Sequence, residues 1–577
     1  MSNGVKSFFS DLKKKRIVEI LAAFIAGGWL IIEFVHFILI GHYHFPDKTL
    51  DITFITLICV LICTLLWRWF SGRERPRKIK LELVLIPLVL LITVLLDINL
   101  LLHLKAPEPE AIPVSKWKNS IAVLPFVDMS PQKDQEYFCD GMTENLINRL
   151  SNISELKVPA RTSAFMFKGK TPDMHEVGEK LKVQTVLEGS IQKSGSQLRI
   201  TAQLINIADG YHLWSEKFDR ELKDVFSVQD EISLQIIDKL KIELLGEERA
   251  RAVKRYTEST EAYDSYMRGM WLLNNRQTDE EWRQAILHFE RAIEIDPDFS
   301  LAYVGLASIH LFRTFMHFDS ADNALPKAKK ALEQALIIDK ELPEALAWSG
   351  LIKCRFEYDR RGGESDLKKA LELNPNYGLI HVFLSSILLT KGKVDEAIEE
   401  IATALELDLL SLRTQANFSA ILYLAGRYDD ALKQCQKLLE LDPEYPYTLS
   451  WLGLCYVQKS LFPEAIAALQ KAVDLSGNST EILCYLAYAY EVSGNREKAN
   501  EILIELDLLS QHVYVSKYYL ASIHAAMGDK EKAFRSLETA YKERDADLYL
   551  LNTDPKFDIL RSDPRFEMML KKIGLGK

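Results

Sequence analysis

The stretch LSWLGLCYVQKSLFPEAIAALQKA, residues 449–472, is the clearest unit of a pattern that recurs along the C-terminal half of the chain. In this unit Gly453, Ala465 and Ala472 are small, and Leu469 is large and apolar. Small residues let the two helices of a hairpin approach closely, whereas a leucine fills the space between hairpins. Small residues recur every 34 residues in two columns, which are Ala397, Ala431, Ala465, Ala499, Ala533 and Gly392, Gly426, Ser460, Gly494, Gly528.

This period is the length of a tetratricopeptide (TPR) repeat, in which two helices form a hairpin and successive hairpins stack into a superhelix. Ala328 and Gly363 extend the alanine column toward the N-terminus, so we count eight repeats over residues 262–545. The tail then repeats Asp-Pro-x-Phe at Asp554 and Asp563, an N-cap followed by proline in the first helical turn. We therefore predict capping helices over residues 546–577.

The first helix of each repeat should line the concave wall, where superhelices of this kind bind protein segments. Aromatic and arginine side chains dominate protein interfaces. Our candidates for a groove that binds a protein or peptide partner are Trp348, Arg413, Asn417, Tyr447, Tyr488 and Tyr518. We expect the three tyrosines to form one aromatic strip, with packing inside the superhelix as the alternative for each.

Three apolar stretches near the N-terminus, residues 17–40, 50–70 and 81–102, have the length of membrane-spanning helices. Residues 1–16, which precede the first stretch, are rich in Lys and Arg, and so is the loop after the second stretch. The first outer loop contains a single Lys or Arg residue, Lys48. The positive-inside rule then predicts a three-helix anchor over 17–104 with a cytoplasmic N-terminus. The remainder would lie across a bacterial inner membrane, in the periplasm.

Three polar residues, Glu33, His36 and Asp97, fall within these predicted spans. Ionisable groups inside a membrane are costly, about 2.5–3.5 kcal/mol for a charged residue at the centre of a span, and they often mark functional positions. They are candidate intramembrane polar residues. The alternative is that Glu33 and Asp97 lie near the outer ends of their helices and reach the interface or each other.

After a Pro-rich linker, residues 105–117, short strands alternate with helices over residues 118–245, which predicts a small α/β domain. A connecting helix over 246–261 leads to the repeats. Acidic residues, Asp134, Glu136, Asp140 and Glu144, lie near the start of the first helix of this domain. Negative charges stabilise a helix N-terminus, so we interpret them as helix entry rather than as a catalytic site.

The motifs AVLPF, DGMTENL, ARTS, VLEGS and HLWSEKFDR occur in this order between residues 118 and 245. With these motifs in this order, the region resembles the TolB amino-terminal-like (FlgO-like) domain of bacterial membrane proteins. That family commonly carries the domain ahead of TPR repeats and downstream of an adenylyl cyclase domain, of a winged-helix domain as in CadC-like sensors, or of a bare membrane anchor. The resemblance implies an α/β fold in a protein-interacting, signalling or envelope context, and it implies no catalytic residues.

The chain has a formal net charge of −10, and residues 1–80 hold 12 Lys and Arg against 6 acidic residues. The remainder carries about −16 and offers no basic surface for nucleic acid. None of the sequence patterns GxxxxGK[ST], HExxH or GxSxG occurs, and the seven cysteines show no CxxC spacing. We expect no enzyme activity, metal or cofactor. The leading hypothesis is a membrane-anchored multi-domain protein whose TPR superhelix binds proteins. The alternative is a transmembrane signalling protein that acts through a partner.

Overall fold

The computed structural model describes residues 119–576, apart from six positions, together with four isolated positions nearer the N-terminus. The six positions left out are Thr171, Glu243, Leu245, Arg276, Gln277 and His317, and the four isolated positions are Ile32, Leu57, Leu61 and Thr64. The chain divides into two compact units, residues 1–115 and 116–577. The fold described below is that of the second unit.

The second unit begins with an α/β domain built on one mixed sheet. Its elements are β1 (Asn119–Val123), β2 (Val127–Asp128), α1 (Glu136–Ser151), β3 (Leu156–Lys157), α2 (Arg161–Phe165), α3 (Met174–Leu181), β4 (Thr185–Ser194), β5 (Gln197–Asn206), β6 (His212–Glu221), α4 (Val225–Lys239) and α5 (Gly246–Ala252). The strand order is β3-β1-β4-β5-β6, with β2 pairing beside β4. β1 runs parallel to β3 and β4, while β4, β5 and β6 are antiparallel.

The sheet packs on helices because its strands alternate apolar and polar residues. Leu198, Ile200 and Ala202 of β5 are buried on one face, in the same core as Leu146 of α1 and Ile232 of α4. α3 contributes to a smaller core that covers the start of β4 on the other side. The side chains of β5 that alternate with the buried ones are exposed or partly exposed, and so are most side chains of β6.

Sixteen helices between Thr260 and Lys542 follow, arranged as eight antiparallel hairpins. They are α6 (Thr260–Asn275), α7 (Asp279–Ile295), α8 (Ser300–Phe315), α9 (Ala321–Ile338), α10 (Pro343–Arg355), α11 (Arg360–Leu373), α12 (Gly378–Thr390), α13 (Val394–Leu407), α14 (Leu412–Leu424), α15 (Tyr428–Leu441), α16 (Pro446–Gln458), α17 (Phe462–Leu475), α18 (Thr480–Val492), α19 (Arg496–Leu509), α20 (Lys517–Ala526) and α21 (Lys530–Lys542). The hairpins are numbered here as repeats 1 to 8. A last helix, α22 (Pro564–Lys572), follows two 3-10 turns.

The two columns of small residues explain the hairpins. Every alanine of the first column, such as Ala465, is fully buried where helices of the array cross. The second column lies in the turns inside the hairpins, where the backbone is left-handed, with φ 76° at Gly392 and φ 60° at Ser460. Glycine adopts this conformation without a steric penalty, so four of the five turns carry it. The prediction of TPR repeats is confirmed.

The α/β domain lies along one edge of this array, where the turns between consecutive repeats meet it. Asn376, in the turn after α11, donates from its side-chain amide to the backbone carbonyls of Ser151, Ile153 and Leu156 at 3.0–3.1 Å. In the turn after α13, Asp408 accepts from Thr162. The α/β domain and the repeats therefore fold as one body, and these inter-repeat turns are called the clamp edge.

The predicted membrane anchor requires correction. The three predicted spans, with Glu33, His36 and Asp97, lie outside the described residues apart from isolated positions. Among the residues that the structure describes, no helix is long and apolar enough to cross a membrane. The longest, α9, has 18 residues, includes lysines and has an exposed polar side, whereas a span needs ~20 mostly apolar residues. For the residues that the structure describes, the fold class is corrected to an all-α TPR superhelix with a small mixed-sheet domain, and three transmembrane helices are not supported. This finding also contradicts the predicted multi-pass location in the inner membrane.

Candidate functional site

Four aromatic residues form a continuous row along the inner wall of repeats 5 to 8. Tyr423, Trp451, Tyr485 and Tyr519 come from α14, α16, α18 and α20, which are the first helices of these repeats. Neighbouring ring centroids in this row lie 5.6, 6.1 and 5.1 Å apart. Aromatic pairs at such distances attract each other in tilted or edge-to-face geometry. This row is called the aromatic ladder.

Polar contacts hold two rungs of the ladder in place. The Tyr485 hydroxyl donates to Glu481 at 2.7 Å and also lies 3.2 Å from the Tyr519 hydroxyl. Burial raises the pKa of both tyrosines well above the ordinary value, so both hydroxyls stay protonated and can donate. The ladder thus presents aromatic faces together with hydroxyl donors, a surface chemistry suited to protein segments that carry carboxylates and cations.

A segment of the same chain lies against the ladder. After α21 the backbone turns at Arg544, where φ is 52°, and residues 545–560 run back into the superhelix. These residues are called the return segment. Leu548, Leu551, Phe557 and Leu560 of this segment are fully buried. The return segment therefore fills the groove beside repeats 5 to 8.

The carboxylates of the return segment bind side chains on the first helices of several repeats. Asp547 accepts from the Tyr519 hydroxyl at 2.9 Å and pairs with Arg355 of repeat 3 at 2.6 Å. Asp554 accepts from the Tyr518 hydroxyl at 2.7 Å. Hydrogen bonds to charged groups are about twice as strong as neutral ones, so these contacts anchor the segment near its start and at its middle.

Lys556 of the return segment lies between two rungs of the ladder. Its ammonium group is 5.2 Å from the ring centroid of Tyr485 and 5.7 Å from that of Tyr423. It also pairs with Asp554 at 2.7 Å, and both side chains are 2% exposed. A desolvated cation over aromatic faces gains more from cation–π attraction than an exposed one.

The predicted groove residues have different environments. Trp348 is buried and packs edge-to-face against Phe312 and Phe383. Arg413 is exposed, with its guanidinium 5.4 Å from the Phe312 ring, and Asn417 is partly exposed on the same helix. The structure thus places Arg413 and Asn417 where a partner could reach them, and Trp348 where it packs inside the array.

The three predicted tyrosines do not share one position in the repeat. Tyr447 is partly exposed, with its hydroxyl 3.7 Å from the Met316 sulfur, while Tyr488 and Tyr518 are 7% and 0% exposed. The 34-residue spacing instead relates Tyr485 to Tyr519, and it would have selected Trp451 as well. Three of the four ladder residues were therefore readable from the period, whereas Tyr423 lies 28 residues before Trp451 and off the register. The return segment carries no periodic signal.

The acidic residues at the start of α1 form ion pairs. Asp140 is buried in the second turn and pairs with Lys168 at 2.6 Å, and Glu144 pairs with Arg161 at 3.3 Å. The helix-entry interpretation fits Glu136 alone, because it lies in the first turn. In the part of the chain that the structure describes, no group of three or more His, Cys, Asp or Glu residues is placed to hold a metal ion.

Comparisons with known proteins match both parts of the second unit. Residues 117–235 match the HilA/YgeH-like transcriptional regulator, second domain family. Residues 380–409 and 421–480 match tetratricopeptide repeat families. A solved TPR protein, YrrB, described as having an unusual peptide-binding site, is 23% identical, covering 34% of this chain and 95% of that one with a TM-score of 0.25.

Two curated relatives match over longer stretches. The Rhizobium meliloti (strain 1021) protein named "Putative adenylate cyclase 3" is 39% identical over 257 residues, 43% of each chain. The transcriptional regulator HilA of Salmonella paratyphi A (strain ATCC 9150 / SARB42) is 24% identical over 302 residues, 50% of this chain and 51% of the relative. The chain spans about half the length of these relatives. The chain therefore contains a HilA-like domain followed by tetratricopeptide repeats.

Proposed function

We propose that this chain is a non-enzymatic interaction scaffold whose TPR groove binds a segment of a partner protein. The observation that carries the proposal is the aromatic ladder with the return segment against it. The groove already holds a polypeptide segment through buried leucines, paired carboxylates and a lysine between two tyrosine rings. These are the side-chain types that dominate protein interfaces.

The accessible part of the inner wall is where a partner would first make contact. Arg413 is exposed and Asn417 partly exposed on α14, the helix that also carries the ladder residue Tyr423. Trp348, Tyr447, Tyr488 and Tyr518 belong to the same proposal as residues that shape the wall. Tyrosine and arginine gain binding energy when a partner excludes water from them.

A photo-crosslinking amino acid in place of Arg413 or Asn417 tests this proposal in the native cell. Crosslinks to a defined partner are expected at both positions, with the adducts identified by mass spectrometry. The matched control is Ile504 of α19, which is 65% exposed on a second helix of the array. The same adducts at Ile504, or none at Arg413 and Asn417, would contradict a groove on the inner wall.

A second candidate is a regulatory module that acts on a separate output protein. It is favoured by the clamp edge, which joins the HilA-like domain and the repeats into one body, and by the match to about half of a cyclase-named and a regulator-named relative. This proposal includes the relationship of residues 118–245 to the TolB amino-terminal-like family. It also includes the predicted domain boundaries, which are a connecting helix over 246–261, repeats over 262–545 and capping helices over 546–577. A deletion strain with unchanged cyclic AMP and transcripts would contradict it.

A further inference from the structure

The return segment touches the array as a bound ligand would, through contacts spread over many repeats. Arg355 of repeat 3 reaches Asp547, and the Asn552 amide reaches the carbonyl of Thr390 in repeat 4 at 3.4 Å. Repeats 5, 7 and 8 contribute the ladder rungs around Lys556 and the hydroxyls that bind Asp547 and Asp554. A helix that merely capped the last repeat would contact repeat 8 and its neighbour alone.

One tetrapeptide chemistry occurs twice in this part of the chain, with similar internal contacts at two different places. In Asp554-Pro-Lys-Phe557, the aspartate pairs with the lysine, the lysine lies over tyrosine rings, and Phe557 is buried. In Asp563-Pro-Arg-Phe566, the aspartate pairs with Arg565 at 2.9 Å and Phe566 is buried. The Arg565 guanidinium lies 4.2 Å from the Phe534 ring, outside the ladder.

The charges buried with the return segment distinguish it from a purely structural core. Asp545, Asp554 and Lys556 are 1–4% exposed. Transferring charges out of water is costly, and an apolar filling of the same volume is often at least as stable. Charged pairs at an interface contribute specificity, and water can replace each of them when the segment leaves.

We propose that the return segment is a cis ligand of the aromatic ladder, and that the partner of the groove is a protein segment with the same Asp-Pro-Lys/Arg-Phe chemistry, which displaces it. This inference rests on the proposed scaffold function and names the partner's chemistry. The groove is closed while the return segment occupies it. A partner binds in proportion to the fraction of molecules in which the segment has left.

A synthetic peptide of residues 545–563 with a fluorescent label tests the proposal by fluorescence anisotropy on the full chain. The double substitution Asp554→Asn with Lys556→Met loosens the return segment and leaves the ladder intact. We expect this variant to bind the labelled peptide at least about tenfold more tightly than the wild-type chain, because the cis competitor is weakened. A peptide that carries the same two substitutions should bind at least about tenfold more weakly than the native peptide.

The matched control is the full chain with Asp563→Asn and Arg565→Met, which alters the second tetrapeptide outside the ladder. It should bind the labelled peptide as the wild type does. Equal affinity for all three chains would overturn the proposal. A loosened variant that melts at a lower temperature without gaining peptide affinity would overturn it as well, since the segment would then be core.

Hydrogen exchange on the wild-type chain provides a second measurement that needs no substitution. A cis ligand opens locally, so amides of residues 545–560 should exchange faster than those of α18. Equal protection in both places would overturn the proposal. If these tests fail but crosslinks still form at Arg413, the cis-ligand proposal is wrong and the scaffold function stands. If the crosslinks at Arg413 are absent as well, both proposals are wrong.

Discussion

The carboxylate of Asp408 accepts a hydrogen bond from the Ser163 hydroxyl at 2.7 Å, although the two residues are 245 positions apart. The same oxygen accepts from the Thr162 hydroxyl, and the backbone N–H of Leu410 donates to the Ser163 hydroxyl at 2.9 Å. A single turn between repeats 4 and 5 thus binds the start of α2. The α/β domain depends on the repeat array for part of its stability.

Replacing Asp408 with alanine tests this dependence. The substitution leaves the hydroxyls of Thr162 and Ser163 without their charged acceptor, so we expect a loss of about 2 kcal/mol in the free energy of unfolding. The matched control is Asp442→Ala at the equivalent turn of the next repeat, where the carboxylate accepts from the nearby backbone N–H of Glu444. Urea denaturation measures both, and equal losses would contradict a specific clamp.

Gly189 in the VLEGS motif should tolerate no side chain. A Cβ there would lie 2.4 Å from a ring carbon of Phe126 and 2.4 Å from the backbone oxygen of Thr201. Gly189→Ala is therefore expected to cost about 1–3 kcal/mol of stability through overpacking. Gly378 lies at the start of α12, and a Cβ there would be 3.7 Å from the backbone oxygen of Ala404, its nearest neighbour outside the helix. Gly378→Ala should therefore be neutral or stabilising in the same denaturation assay. A neutral Gly189→Ala would mean that the sheet shifts freely.

Glu344 should make stability depend on pH. Burial raises the pKa of this carboxyl to about 7, and the nearby Asp339 adds to the effect while Lys254 opposes it. The folded chain therefore holds a proton that the unfolded chain has lost, and its free energy of unfolding falls as the pH rises from about 4.5 to 7. Above pH 7 the lost stability amounts to at most about 3 kcal/mol.

The substitution Glu344→Gln replaces the carboxyl with a neutral group of the same shape. We expect the variant to lose this pH dependence and to be more stable than the wild type at pH 8, with little difference at pH 4.5. Urea denaturation at both pH values is the measurement. Glu341→Gln, at an exposed position in the preceding turn, serves as the control. An unchanged pH profile in Glu344→Gln would show that another group titrates.

Truncating Tyr488 should affect folding more than truncating Tyr447. Tyr488 is 7% exposed, so Tyr488→Ala creates a cavity and is expected to cost about 3 kcal/mol. Tyr447 is partly exposed, and Tyr447→Ala should lower the melting temperature by less than half as much. A Tyr488→Ala protein with an unchanged melt would restore this residue as a direct contact for a partner.

The repeat array could be predicted from the sequence because its signal is periodic. Ala465 and the other alanines of its column lie at helix crossings where only small side chains fit. The column that contains Gly392 lies in left-handed turns. The same period relates Trp451, Tyr485 and Tyr519, although the predicted strip of Tyr447, Tyr488 and Tyr518 departed from it. A departure of a few positions rotates a side chain away from the wall.

The return segment and the clamp edge could not be predicted in this way. Asp547 meets Arg355 across 192 positions, and Asn376 meets Leu156 across 220. Such contacts depend on how far the superhelix winds, which no local pattern records. Asp140 shows the same limit, since its pairing with Lys168 depends on the loop after α2 rather than on its place in α1.

The clamp edge limits how the array can change in length. Asn376 and Asp408 reach the α/β domain from fixed heights along the superhelix, at the ends of repeats 3 and 4. Duplication or loss of one repeat before Asn376 would shift both residues by a full hairpin, away from the groups of the α/β domain that they bind. The first four repeats therefore have a fixed number, whereas the clamp places no such limit on duplications later in the chain.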